Sequence, residues 1–162
     1  MKYFTMNEFV RSETAAKYGI DNTPSEYQKN NVISLVENLL DPLREAWGVY
    51  CQKHGLGTPA IRVSSGIRSE KLNEAVGGSK TSAHYHGLAA DLVPGNGQLA
   101  QFKKFCVEWL MDKEFDQFIS EDENDNCVPR WIHLGYKHGS GKQRHQFLYM
   151  KNGKYYTLSE LL

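Results

Sequence analysis

The feature that most limits the fold is a long segment whose apolar residues repeat at helical spacing. It begins near Thr23, the predicted N-cap, and ends at Gly55, and its apolar residues are Val32, Leu35, Val36, Leu39, Leu40, Leu43 and Trp47. Residues three and four positions apart lie on one face of a helix. Pro42 interrupts the pattern, which predicts either a kink or a second helix capped by Asp41. The segment therefore predicts a helical layer with one buried face.

The second half of the sequence carries strand signals. Short apolar or aromatic runs occur between turns at AIRVSSG, LAADLV, FDQFIS, RWIHLGY and QFLYMKNGKYYTL. Asn152 and Gly153, inside the last run, predict a hairpin with a type I′ turn. A further amphipathic pattern predicts a helix in NGQLAQFKKFCVEWLM. Helices that come early and strands that come late are typical of an α+β fold, and we expect a small antiparallel sheet with flanking helices.

Composition is that of an ordinary globular chain. The length of 162 residues favours a single domain over residues 1–162. The formal net charge is zero, so no electrostatic attraction to nucleic acid or to an anionic membrane is expected. No apolar run approaches the roughly 20 residues that span a bilayer. We therefore expect no nucleic-acid partner, no membrane insertion and a monomer.

The N-terminus and the cysteines bear on the compartment. The opening segment, MKYFTMNEFVRSE, has no continuous apolar core, so it does not predict a signal peptide. Cys51, Cys106 and Cys127 are widely spaced, and reduced thiols are expected where no CxxC pair occurs. We therefore expect a protein that is cytoplasmic as synthesised.

Two histidines and one aspartate form a candidate functional group, namely His84, Asp91 and His133. Two imidazoles and one carboxylate form the protein half of a catalytic zinc site, in which the fourth position is left for water. Side chains seven positions apart in one unbroken strand face opposite ways, so a bend at Gly87 is needed before His84 and Asp91 can converge. Residue types alone leave three interpretations open, namely a metal site, a catalytic dyad and an incidental polar turn.

Four motifs reduce these alternatives, and they are SSGIRS ending at Ser69, VGGS starting at Val76, SAHYHGLAAD over residues 82–91, and WIH over residues 131–133. In this combination the chain resembles the Peptidase M15 family of zinc D-Ala-D-Ala peptidases, in its M15A branch, and is similar to the hedgehog domains that share this fold. The resemblance runs over most of the chain. It implies Zn²⁺ as the cofactor, with His84, Asp91 and His133 as its ligands.

The catalytic base is not found where many family members have it. They carry Glu three residues before the last histidine ligand, and this sequence has Arg130 there. The M15A and hedgehog pattern instead places an acid at the end of the preceding strand, which is Glu121 here. A carboxylate at that position suits proton transfer from water to the leaving amine. Asp116 and Asp122 are the alternatives.

Two further residues are implied by the resemblance as parts of the site. Arg68 matches the family's arginine between strand and helix, and a guanidinium suits both catalysis and binding of a substrate carboxylate. Ser82 precedes the first histidine ligand and either binds substrate or orients His84. The implied function is a zinc metallopeptidase acting on peptidoglycan stem peptides, as a D-Ala-D-Ala carboxypeptidase or as a phage-type endolysin.

The alternative is a binding module of the same fold that keeps zinc and does not hydrolyse peptides. The presence of Glu121 favours the enzyme. Because the cell wall lies outside the cytoplasm, we expect either release of the protein to the wall, as from a phage or prophage, or a role on cytoplasmic precursor peptides.

Overall fold

A computed structural model describes residues 1–158. Its helices, in chain order, are α1 (Met6–Val10), α2 (Glu13–Tyr18), α3 (Glu26–Leu35), a π-helical turn (Val36–Leu40), α4 (Asp41–His54), α5 (Glu70–Ala75), α6 (Ala83–His86) and α7 (Leu99–Leu110). Its strands are β1 (Ile61–Ser65), β2 (Ala89–Pro94), β3 (Gln117–Glu121), β4 (Trp131–Gly135), β5 (Gln146–Lys151) and β6 (Lys154–Thr157). The end of the predicted single domain, residues 159–162, lies outside the described residues.

The strands form one open sheet in the order β1-β2-β4-β3-β5-β6. All neighbouring strands are antiparallel except β3 and β5, which run parallel. The α+β prediction is confirmed, and the expectation of an antiparallel sheet holds for four of its five strand pairs. The parallel pair arises because the chain leaves β3, returns through β4 and crosses to the outer side of β3.

The helical layer begins two residues later than predicted. Ser25 is the N-cap of α3, and it forms a capping box with Gln28. Thr23 does not cap, because its hydroxyl and its backbone N–H both donate to Asp21. Because Thr23 is held in that local turn, the next residue with a hydroxyl, Ser25, caps the helix.

Pro42 is accommodated by a π turn rather than by a helix break. A proline in a helix interior lacks an N–H and clashes with the carbonyl four residues back. Here the N–H of Asp41 donates to the Val36 carbonyl, five residues back, so the turn widens just before the proline. The helical path continues into α4, which ends as predicted at Gly55 in a left-handed conformation.

One face of the sheet packs on the helices and the other faces a pocket. The core-facing side chains of the central strands are Ala90, Leu92, Phe118, Ile132, Leu134 and Phe147, and all are buried. The helices α4 and α7 cover this face, with Trp47 and Phe102 in contact at a ring-centroid distance of 5.0 Å. Side chains alternate across a strand, so Asp91, Ile119 and His133 all point to the opposite face.

The outer hairpin forms as predicted. Asn152 and Gly153 both have positive φ angles, 52° and 76°, as a type I′ turn requires. Within residues 1–158, no helix is both long and apolar enough to cross a membrane.

Candidate metal centre

Three side chains from different elements converge at one point of the pocket face. The Oδ1 atom of Asp91 lies 3.3 Å from Nε2 of His84 and 3.2 Å from Nδ1 of His133. One nitrogen or oxygen atom of each side chain lies within 4.8 Å of the others, which makes the three a group that could hold a metal ion. The predicted convergence of His84, Asp91 and His133 is therefore present in the structure.

Strand register places two of the three. Asp91 of β2 and His133 of β4 are direct partners in the antiparallel ladder, and Ile119 of β3 continues the same row. Directly opposed residues point to the same side of a sheet with Cβ atoms about 4.5–5.5 Å apart. The carboxylate and the imidazole are therefore brought together by backbone pairing alone.

His84 reaches the group from a short helix rather than from a loop. It lies in α6, and Gly87 ends that helix with a φ of 74° before the chain enters β2. A side chain at Gly87 would also collide with the backbone of Gln28, because an added Cβ would lie 2.7 Å from its carbonyl oxygen. The bend predicted at Gly87 thus depends on glycine for both conformation and space.

A backbone carbonyl fixes the ring of His84. Its Nδ1 lies 2.8 Å from the carbonyl oxygen of Gly66, which can only accept a hydrogen bond. Nδ1 therefore carries the proton, and Nε2 presents its lone pair to Asp91 and His133. Gly66 comes this close because it packs on Phe9, where an added Cβ would lie 2.6 Å from the backbone.

The spacing of the donor atoms fits a tetrahedral zinc ion. Ligand bonds of about 2.0–2.1 Å in a tetrahedron separate the ligand atoms by about 3.3–3.4 Å. The two measured separations from Asp91 Oδ1, 3.2 and 3.3 Å, match that edge length. They are longer than a charge-assisted hydrogen bond, which is about 2.7–2.9 Å for a charged N–H and a carboxylate.

The ionisation states also suit metal binding. Burial lowers the pKa of His133 against the opposing effect of Asp91, which favours the neutral imidazole that binds metals. Burial alone would raise the pKa of Asp91. The two neighbouring imidazoles, with His84 contributing most, outweigh that effect and lower the pKa of Asp91 well below its usual range. The group therefore offers an ionised carboxylate, a neutral imidazole at His133 and the Nε2 lone pair of His84.

Glu121 lies at the end of β3 on the same face and is only 6% exposed. Within residues 1–158, no side chain donates a hydrogen bond to its carboxylate or pairs with it. Burial raises the pKa of Glu121 from 4.5 to about 7, and the negative charges of Asp91 and Asp122 add to the shift against an opposing effect of His84. A carboxyl group with a pKa near 7 can both accept and return a proton at neutral pH.

The two alternative acids are engaged elsewhere. Asp116 is buried and bound by the guanidinium of Arg144 through two contacts of 2.8 Å. Asp122 is on the surface and pairs with Arg130 at 3.2 Å. Neither carboxylate lines the pocket, whereas Glu121 does.

Arg68 and Ser82 lie together at one side of the pocket. A terminal nitrogen of Arg68 donates to the hydroxyl of Ser82 at 2.9 Å. Glycine at position 78 makes room for this guanidinium, because an added Cβ would lie 2.7 Å from its Nη1. Ser82 therefore orients Arg68, and the ring of His84 is oriented by the carbonyl of Gly66 instead.

The pocket has a volume of about 470 Å³, and its lining includes all six residues proposed from the sequence. It also includes residues that the sequence analysis did not single out, among them Gln117, Met150 and Arg144. Tyr155, which the sequence marks only as a member of an aromatic strand run, lies in the same lining, as does Trp131 of the WIH motif. Tyr155 could have been found from strand alternation and from its pairing with Met150. That pairing can be used only when the register between β5 and β6 is known.

Two comparisons with known proteins bear on this site. A family model described as Peptidase M15 matches residues 2–134, which contain His84, Asp91, His133 and Glu121. A zinc D-Ala-D-Ala carboxypeptidase of Streptomyces albus G is 40% identical over 50 residues, which is 31% of this chain. The aligned segment is 20% of that protein, so the chain matches only a small part of this curated relative.

Proposed function

The chain belongs to the Peptidase M15 family, and on that premise we propose that it hydrolyses the stem peptides of peptidoglycan. The sequence-based prediction of the family is confirmed by the family match. The prediction of a zinc metallopeptidase is likewise confirmed at the level of the family. It is supported by the named relative and by the group of His84, Asp91 and His133, which could hold a metal ion. The substrate, the bond that is cut and the residue roles below are our proposals.

The metal-binding residues in this proposal are His84, Asp91 and His133. A zinc ion at this position would polarise the scissile carbonyl and lower the pKa of a water molecule to about 7. Neutral His133, ionised Asp91 and the outward lone pair of His84 are the forms that bind such an ion.

The observation that carries the proposal is the position of Glu121. It is a buried carboxylate with no cation bound to it among residues 1–158, and it lies in the same pocket as the metal-binding group. We assign it as the general base that accepts a proton from the attacking water and then donates it to the leaving amine. A residue with this double role works best with a pKa near the working pH, and burial raises that of Glu121 to about 7.

Arg68 is assigned to the substrate's terminal carboxylate. Its guanidinium lines the pocket beside the metal-binding group, and Ser82 holds it in place through one of its N–H groups. The remaining N–H groups at the two terminal nitrogens are suited to a carboxylate, since guanidinium and carboxylate match in geometry, whereas Nε is buried. This arrangement favours a carboxypeptidase that releases a terminal D-Ala. In endolysin-type cleavage the bond is internal, so the substrate has no terminal carboxylate next to the cut for Arg68 to bind.

The experiment that tests this proposal uses zinc-loaded protein and two substrates. One is a pentapeptide ending in D-Ala-D-Ala, and the other is cross-linked peptidoglycan, with mass spectrometry of the products. We expect release of terminal D-Ala, and we expect Arg68→Ala to reduce that reaction far more than any internal cleavage. Arg62→Ala is the matched control, because Arg62 is an exposed arginine on β1 that does not line this pocket.

Cleavage of neither substrate by the zinc-loaded protein would contradict the proposal. It would favour the non-hydrolytic binding module of the same fold. Cleavage of peptidoglycan cross-links alone, with no effect of Arg68→Ala, would favour the endolysin-type activity. We also propose that the protein reaches the wall by release from the cytoplasm, in the way that a phage or prophage enzyme is released.

A further inference from the structure

One wall of the pocket is built by residues that lie after the region matched by the family model. That region ends at residue 134, and Arg144, Met150 and Tyr155 all line the pocket from beyond it. The metal-binding group and Glu121, by contrast, lie within the matched region. This wall is therefore the part of the pocket that the family match does not cover.

Arg144 is held in a fixed orientation on this wall. Its Nε and Nη2 atoms each donate to Asp116 at 2.8 Å, and its backbone N–H donates to the same carboxylate at 3.1 Å. The Asp116 side chain is 2% exposed, whereas that of Arg144 is 36% exposed. One edge of the guanidinium is thus anchored to a buried carboxylate, and Nη1 is free of hydrogen bonds to residues 1–158. A prepositioned guanidinium loses less entropy on binding a ligand than a mobile one.

The strand order places the two pocket arginines on opposite sides of the metal-binding group. Arg68 follows β1, at one edge of the sheet, and Arg144 precedes β5, on the far side of β3. The strands that carry Asp91 and His133, β2 and β4, lie between them. A peptide that crosses the strands with its terminal carboxylate at Arg68 therefore extends on its amino side toward Arg144.

The distance sets how far along the peptide this contact occurs. The guanidinium of Arg144 is anchored on Asp116, one strand away from β4. Asp116 lies three residues before Ile119, which pairs with His133, so about 5 Å across the strands and roughly 10 Å along them separate the two sites. An extended peptide covers about 3.3 Å per residue, so roughly three residues bridge that distance. A group bound by Arg144 thus belongs to one of the first three or so residues on the amino side of the cut.

We propose that Arg144 is a specificity-determining residue that binds a carboxylate on the amino side of the scissile bond. The preferred substrate is then an acidic peptide, with one carboxylate at its terminus and a second one up to about three residues before the cut. Charge-assisted hydrogen bonds from a guanidinium fit a carboxylate better than an uncharged amide. This inference rests on the proposed function for the direction in which the peptide lies.

The test compares pairs of peptides that end in D-Ala-D-Ala and differ only by Glu or Gln at the second or third residue before the cut, the first being the remaining D-Ala. Wild-type protein is expected to favour the Glu peptide at one position by about 10- to 100-fold in kcat/KM, through KM. The double variant Arg144→Gln/Asp116→Asn removes both charges of the pair together, so no buried carboxylate is left alone. In that variant we expect the preference for Glu over Gln to fall to about one.

Arg130→Gln is the matched control, since Arg130 is an exposed arginine in an ion pair that lies outside the pocket. It is expected to keep the full preference for the acidic peptide. Calorimetric binding of the same peptides to metal-free wild-type and variant protein gives a readout that needs no hydrolysis. Preferential binding of the Glu peptide without any cleavage would support the role of Arg144 and count against the proposed function.

Two results would overturn the inference. One is equal affinity of wild-type protein for the Glu and Gln peptides at both positions. The other is an acidic preference that persists in the double variant, which would assign the recognition to another residue.

Discussion

The two ends of strand β3 carry buried carboxylates in opposite circumstances. Next to its start, Asp116 is bound by Arg144 through two side-chain contacts. Burial would raise the pKa of Asp116, but the hydrogen bonds and charge of Arg144 outweigh burial and lower that pKa. At its end, Glu121 has no cation bound to it among residues 1–158, and burial raises its pKa to about 7. A satisfied acid just before β3 and an unsatisfied one at its last residue thus lie five residues apart.

A third buried carboxylate follows the pattern of Asp116. Glu123 lies just after β3, accepts hydrogen bonds from Lys103 at 2.6 Å and from the hydroxyl of Ser120, and is buried on the core side. Lys103 also donates to the backbone carbonyl of Cys127, so the pair anchors the loop that follows Glu121. Buried charges are expected to be paired unless another requirement opposes it. Asp116 and Glu123 are each held by a cation, whereas Glu121 has none among residues 1–158, as the proton transfer that we propose for it requires.

The largest expected effect is on the activity of Glu121→Gln. The amide keeps the shape of the side chain and cannot accept a proton, so cleavage should fall by about 10²- to 10⁴-fold. Bound zinc, measured by atomic absorption, should be unchanged because Glu121 is not among the metal-binding residues. Asp122→Asn is the control, since it alters an adjacent acid that is paired with Arg130 outside the pocket. Equal losses in the two variants would refute the distinction between them.

The next effect is on stability and concerns the paired acid. Lys103→Met leaves Glu123 buried without its cation, which is expected to lower the free energy of unfolding by about 3–5 kcal/mol. Urea denaturation at pH 7 measures this change. The double variant Lys103→Met/Glu123→Gln removes both charges and should recover part of the loss. A loss below about 1 kcal/mol in the single variant would mean that the pair does not anchor the loop.

A smaller effect, of opposite sign, is expected for Glu121 in metal-free protein. Its folded pKa of about 7 lies above the ordinary 4.5, so the folded state binds the proton more tightly than the unfolded state between these values. Wild-type protein therefore loses stability from this group as the pH rises from about 4.5 to 7, and Glu121→Gln does not. The variant should gain about 1–3 kcal/mol over wild type at pH 8, relative to their difference at pH 4.5. Denaturation curves that shift in parallel would contradict it.

The sequence predicted the local elements of this comparison better than the long-range ones. Glu121 and the group of His84, Asp91 and His133 were identified through the resemblance of the motifs to the Peptidase M15 family, and Gly87 marked the required bend. The partner of Asp116 was not predicted, because Arg144 lies in a loop 28 positions away and meets it only through the parallel pairing of β3 with β5. Such pairing depends on how the chain crosses the sheet, which local propensities do not specify.

The exact start of the helical layer was also beyond the local signals. Thr23 and Ser25 are both suitable N-cap residues, and the choice depends on the competing hydrogen bonds of Thr23 to Asp21. The π turn before Pro42 is a third way of accommodating that proline, besides the kink and the helix break that the sequence suggested. None of these differences changes the position of the metal-binding group.

The most direct test of the account is the protonation of Glu121 itself. In metal-free protein with ¹³C-labelled glutamate, the carboxyl resonance of Glu121 is assigned by its loss in Glu121→Gln and followed across the pH range by NMR. We expect a titration midpoint near 7, well above the ordinary 4.5. A midpoint at or below 4.5 would show that this carboxylate is stabilised as an anion like Asp116, and would contradict its assignment as the base.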